Sequence, residues 1–223
     1  MKVTALILTM FLAAVLAAGQ VLTVKNDIPE SQYLAAEAKA GELLKTANYR
    51  VIQTKEYFAQ RSREAKLQEK LLLEFVQPDK KRTLWEEFYN KPRRNETISD
   101  GKASYSRTDN WPWSKDDALA NYYETDVEIV PNRNQYKYVP AVEIEGKKAV
   151  YYEFIEIRKS NKSSKTDFPT IGYVCTMQLW FLLDGKILKK MEDCALEGRK
   201  DRLLWTTVYE YDPKDLKIEA PIK

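Results

Sequence analysis

From Tyr49 onward the chain is written largely in two-residue alternation, and this constrains its fold more than any other feature. Val, Ile, Tyr, Phe, Trp and Thr recur at every second position in short runs, broken by Gly, Pro, Asn or Asp. Successive side chains of a strand point to opposite faces, so each run buries one face and leaves the other in water. The runs predict strands at about 49–59, 65–77, 81–90, 93–98 and 102–107, and again at 135–144, 147–158, 170–183, 186–195, 201–211 and 216–220. About eleven strands joined by short turns are the mark of a meandering antiparallel sheet. Before them lies the one long stretch with helical spacing. Ser31 can cap a helix over 30–47, whose stripe is Tyr33, Leu34, Ala36, Ala40, Leu43 and Leu44. Between Asp109 and Asp126 the alternation stops, and Trp111-Pro112-Trp113 with the segment 115–124 predicts a short second helix.

Two turns set the register of their strands. Glu145-Gly146 and Asp184-Gly185 each fit a two-residue hairpin loop, because Asp-Gly and its relatives accept the left-handed backbone such a loop needs. With that loop Leu183 faces Lys186, and counting outward sets Cys175 opposite Cys194, the only two cysteines. In an oxidising compartment the pair reads as a disulfide; the alternative is two buried thiols. The same count puts the pair at a hydrogen-bonded position, where a disulfide fits less well than at the alternate position. A bulge would correct that.

The start of the chain addresses the compartment. Lys2 is followed by an apolar run from Val3 to Leu16, interrupted only by Thr4 and Thr9, and then by Ala17-Ala18-Gly19-Gln20. A short positive region, an apolar core and small residues make a secretory signal, with cleavage expected near Gly19 and one domain over 20–223. The run is shorter than the ~20 apolar residues of a spanning helix. Gln20 stands where a lipid-anchored bacterial protein needs Cys. A soluble, periplasmic protein is the expectation.

Composition removes several classes of function. There is no histidine among the 223 residues, which excludes His-based triads, His metal ligands and the commonest acid–base catalyst. No nucleophile motif stands out, so an enzyme is not expected. Seven glycines leave little from which to build a phosphate loop, and no cofactor or metal site is predicted. The net charge of +3, with both signs interspersed, argues against nucleic acid. Lys91, Arg93 and Arg94 form a local basic cluster, read either as a solvated strand edge or as a contact for anionic head groups.

A sheet of this size must cover its apolar face, and two small helices seldom fill it. The result is either a tightly filled core or an apolar cavity, and cavities of that kind take apolar ligands. The faces with the fewest charges are the candidate walls. They are Leu71, Leu73 and Phe75; Tyr173, Met177, Leu179 and Phe181; and Leu203, Trp205 and Tyr209, with Trp85 and Trp111 at the rim. Met adapts its shape and aromatic faces pack on chains, which suits a variable ligand.

Five segments, in order, resemble the LolA-type periplasmic lipoprotein carriers, the outer-membrane lipoprotein-sorting proteins. They are the helix leading into Tyr49-Arg50-Val51; Leu73 to Asp79 followed by Arg82-Thr83-Leu84-Trp85; Ile98-Ser99-Asp100-Gly101-Lys102 leading to Tyr105; Leu179 to Lys190; and Tyr209 to Pro213 with Ile218 to Pro221. The resemblance implies an incomplete β-barrel lidded by helices, with a cavity for lipid acyl chains or acylated proteins. It also implies transfer between membrane partners without covalent chemistry. An envelope sensor on the same fold, regulating a membrane-protein partner, is the competing reading. The carriers place an Arg before the Pro that ends the early strand, tied to lid closure and release. Here that position is Gln77, and a neutral amide makes no charge-assisted bonds.

Overall fold

The alternating runs pair with one another into one antiparallel sheet. The computed structural model describes residues 25–26, 28–59, 64–89, 91–116, 129–160, 172–196 and 201–221. The predicted signal segment and the stretch 117–128, which holds most of the predicted second helix, lie outside them. Among the described residues there are twelve strands and one helix. The strands are β1 (Lys25–Asn26), β2 (Tyr49–Phe58), β3 (Lys66–Val76), β4 (Lys80–Glu87), β5 (Arg93–Ser99), β6 (Ser104–Thr108), β7 (Ser114–Asp116), β8 (Ile129–Ile144), β9 (Lys147–Ser160), β10 (Gly172–Leu182), β11 (Ile187–Leu196) and β12 (Arg202–Tyr211). Helix α1 runs over Glu30–Thr46. The spatial order is β1-β8-β9-β10-β11-β12-β2-β3-β4-β5-β6-β7, which leaves the sheet open at β1 and β7. Its central seam joins β12 to β2, Tyr211 against Tyr49 and Arg202 against Phe58, so the C-terminal half of the chain docks on the N-terminal half.

Three local expectations need correction. Ser31 does not cap α1; Pro29 holds the cap position without a side-chain bond, and Ser31 lies in the first turn. The segment after Ser114 begins as a strand rather than a helix, pairing Ser114 with Ser106. Residues 216–220 form no strand. There Leu216 N donates to Pro213 O at 3.1 Å, turning the chain, and Asp215 accepts from Arg50 at 2.9 Å.

The Glu145-Gly146 hairpin has its two-residue loop: Ile144 faces Lys147, and both loop residues have positive φ (52° and 73°). The second hairpin differs. Leu182 N donates to Lys186 O at 2.7 Å around Leu183-Asp184-Gly185, with Gly185 at φ 97°. The loop is therefore one residue longer than predicted. A bulge at Leu188 restores the count, because Phe181 faces Ile187 while Trp180 faces Lys189. Cys175 consequently lies opposite Cys194 after all, and the two form a disulfide. Their Cα atoms are 4.0 Å apart, the close spacing of a non-hydrogen-bonded pair rather than the wide site of the simple count.

Helix α1 covers the β8–β11 part of one sheet face. Tyr33 is buried there, 4.7 Å from the Phe154 ring and within 6 Å of Tyr136 and Tyr152. Ala36, Ala40 and Leu44 continue the contact, packing on a cluster that includes Met177, Leu179 and Phe181. Polar ties fix the helix ends. Near the start, Tyr136 Oη donates to Glu30 at 2.7 Å and Arg133 pairs with Glu37 at 3.8 Å. At the other end, Gln77 Nε2 donates to Leu44 O at 3.3 Å, and Gln77 N donates to Asn48 Oδ1 at 2.9 Å. The neutral amide at this position thus still holds the end of the helix.

Candidate functional site

Residues opposite each other in an antiparallel ladder project from the same side. One row can be followed across most of the sheet: Tyr138, Tyr152, Leu179, Lys190, Thr207, Gln53, Leu71, Trp85, Asn95 and Thr108. It is aromatic under the helix, polar in the middle, apolar at β3 and β4, and amide or hydroxyl at β5 and β6. The adjacent row runs Tyr209, Val51, Leu73, Thr83, Thr97 and Ser106. The helix-side face therefore changes character away from α1, from aromatic core to small polar side chains.

Between the two regimes, beside the C-terminal turn of α1, lies an open cleft of about 250 Å³. Its apolar wall is Leu44, Val51, Leu71, Leu73 and Phe75, with the rings of Tyr49 and Tyr209. Tyr49 stacks on Phe75 at 4.5 Å between centroids. Burial pushes both phenols, Tyr49 and Tyr209, above their ordinary value, so they stay neutral. The polar floor is Gln53, Thr207, Lys190 and Glu192. Gln53 Nε2 donates to Thr207 Oγ1 at 3.0 Å.

Glu192 joins the cleft to an ionic chain whose carboxylates Glu192 and Glu156 are buried. Its Oε1 takes Lys190 at 2.8 Å and its Oε2 takes Arg158 at 2.7 Å. Arg158 also pairs with Glu156, which pairs with Arg133, which reaches Glu37 on the helix. Burial pushes the Glu192 carboxyl up, but Lys190 and Arg158 outweigh it and hold it below the ordinary glutamate value. Glu156 is held low in the same way, against its burial, by Arg133 and Arg158. Both are carboxylates at neutral pH.

The sequence candidates divide across this landscape. Eleven of the twelve, all but Trp111, share the helix-side face by register. Leu71, Leu73, Phe75 and Tyr209 line the cleft. Met177, Leu179 and Phe181 are each 2% exposed and pack under the helix. Tyr173 and Trp205 are half-buried against that same core. Trp85 stands beside Leu71 without lining the cleft, and Leu203 faces Tyr57 near the far sheet end. Trp111 is 74% exposed and lies in none of these groups. Sequence reading missed Tyr49, Val51, Gln53, Thr207, Lys190 and Glu192. Their strands were predicted and so was the alternation; the missing element was the β12–β2 seam that brings them together.

The opposite face carries charge instead. One residue per strand from β2 to β6 forms the ladder Arg50, Glu74, Arg82, Glu96 and Arg107, each pair within 3.3 Å. Glu74 and Glu96 are each 3% exposed beneath these guanidiniums. A wider groove of about 420 Å³ opens on that side between Arg50, Glu145, Lys147, Lys186 and Glu210. Its apolar groups, Ile52, Leu182, Leu188 and Val208, are spread among charges, and Arg50 is already engaged by Glu74, Glu210 and Asp215. Lys91, Arg93 and Arg94 are exposed at the β4–β5 hairpin. Because β5 lies between β4 and β6, they do not guard a sheet edge.

No family model matches the chain, and no curated protein matches it. Similar solved structures include LprF from Mycobacterium bovis, 11% identical over 86% of this chain and 98% of that one, with a TM-score of 0.46. A DUF1329 family protein from Desulfovibrio piger is 9% identical, covering 82% of this chain and 92% of that one, at a TM-score of 0.27. A domain described as an outer membrane lipoprotein-sorting protein, from Vibrio parahaemolyticus, is 8% identical, covering 82% of this chain and 91% of that one, at a TM-score of 0.29.

Proposed function

We propose that this chain is a periplasmic carrier or binder of lipid acyl chains, working without covalent chemistry. The observation that carries the reading is the cleft, where Leu71, Leu73, Phe75 and Tyr209 meet Leu44 of the helix on a face that α1 only partly covers. A chain laid there gains about 0.8 kcal/mol per buried CH₂. That gain makes binding strong and spontaneous release slow, so release calls for motion of α1 or a partner with its own apolar surface. At its cleft end the helix is held by the neutral bond from Gln77 to Leu44 O and by its packing. The order of LolA-like segments and the signal-like start support the same reading.

Native mass spectrometry of the protein purified from its own cells tests this reading. Co-purifying lipid or acylated peptide is the expected result. A stoichiometric protein partner with no lipid would favour the envelope-sensor reading instead.

A further inference from the structure

The geometry points to a head-group site at the polar floor of the cleft, in which Lys190 receives the carboxylate of a single-chain amphiphile whose tail lies on Leu71, Leu73 and Phe75. This rests on the acyl-chain reading above and adds the chemistry of the ligand's other end.

An ammonium offers three donors, and one of those on Lys190 is spent on Glu192 Oε1 at 2.8 Å. The other carboxylate oxygen of Glu192 is taken by Arg158, so both oxygens have a cationic partner. Gln53 has one amide hydrogen committed to Thr207, and its second is uncommitted. Lys190 therefore keeps two ammonium donors to give, and the second amide hydrogen of Gln53 lies on the same floor. Lys190 is also reachable, with 30% of its side chain exposed against 11% for Glu192. Of the two charged residues on the cleft lining, Glu192 has both oxygens engaged by cations while Lys190 keeps free donors. A ligand head that accepts hydrogen bonds and carries negative charge fits Lys190; an ammonium head would compete with Lys190 and Arg158 for Glu192. Register fixes the distance to the tail site. Lys190, Thr207, Gln53 and Leu71 are consecutive members of one row, so Leu71 lies three strand spacings, about 14 Å, from Lys190, with Thr207 and Gln53 between them.

Calorimetric titration of the full chain with dodecanoate, dodecanol and dodecylammonium, all below micelle formation, tests the proposal. Dodecanoate is expected to bind at least about tenfold tighter than dodecanol, the gain of one charge-assisted bond, and dodecylammonium weakest. Lys190→Gln is expected to abolish the difference between acid and alcohol, while Lys190→Arg keeps it. Thermal melts confirm that both variants are folded. Equal binding of acid and alcohol to the wild type would overturn the head-group site yet leave chain burial standing. A preference that survives in Lys190→Gln would remove Lys190 from the role. If none of the three binds, the acyl-chain reading fails and this inference fails with it.

Discussion

Leu179→Ala is expected to cost about 2–5 kcal/mol of stability, while Leu73→Ala, one predicted wall residue for another, costs about 1 kcal/mol. Leu179 is 2% exposed and sits in the cluster under α1 with Tyr33, Met177 and Phe181. Deleting its side chain opens a hole that rigid neighbours cannot close. Leu73 is half-buried on the wall of an open cleft, and alanine there only widens a space already open to water. Urea denaturation with a common m-value measures both. Equal losses would mean that the β3 wall is core like β10, and that the cleft is closed by packing in solution.

The second large effect concerns the disulfide. Cys175 and Cys194 are 19 positions apart, and cross-linking a loop of that size restrains the unfolded chain by about 3 kcal/mol. Both residues are buried, at 0% and 1% exposure. The double variant Cys175→Ala, Cys194→Ala should therefore lose about 3 kcal/mol, with a further contribution from the two lost sulfurs. Alkylation of the native oxidised protein should label neither residue, and mass spectrometry should find the two linked. An unchanged urea midpoint in the double variant would show that the hairpin's own pairing already restrains the unfolded chain.

How far the fold could be read from sequence depended on how local each signal was. Strand alternation is local, and β2 through β6 and β9 through β12 stand close to where it put them, while β8 starts six residues before its predicted 135. Hairpin register is nearly local. Cys175 opposite Cys194 came out right even though the loop at Leu183 is a residue longer than predicted and Leu188 bulges, because the two departures cancel. Failures came where distant partners decide. Residues 216–220 alternate like a strand, but among the described residues no strand pairs with them, and Asp215 is drawn to Arg50 instead. Leu179 and Leu73 look alike along the chain; the position of α1, lying over β8–β11 and reaching β3 only at its C-terminal turn, makes one core and the other cleft wall. Trp111, a bulky aromatic beside proline read as a rim position, is 74% exposed and lines neither the cleft nor the core. The polar floor was invisible because Lys190, Thr207 and Gln53 come from three strands, joined by a seam between the two ends of the chain.

If this cleft takes the acyl chain, filling the cleft should block binding. Leu73→Trp adds bulk where Leu71, Phe75 and Tyr209 converge, on an open wall that can accept a larger side chain without displacing the core. Titration of a fluorescent fatty-acid probe into the wild type should give one saturable site. The same titration into a folded Leu73→Trp variant should show affinity lower by at least about tenfold, a loss of about 1.4 kcal/mol. Unchanged affinity in a variant that melts like the wild type would contradict the account and place the ligand elsewhere.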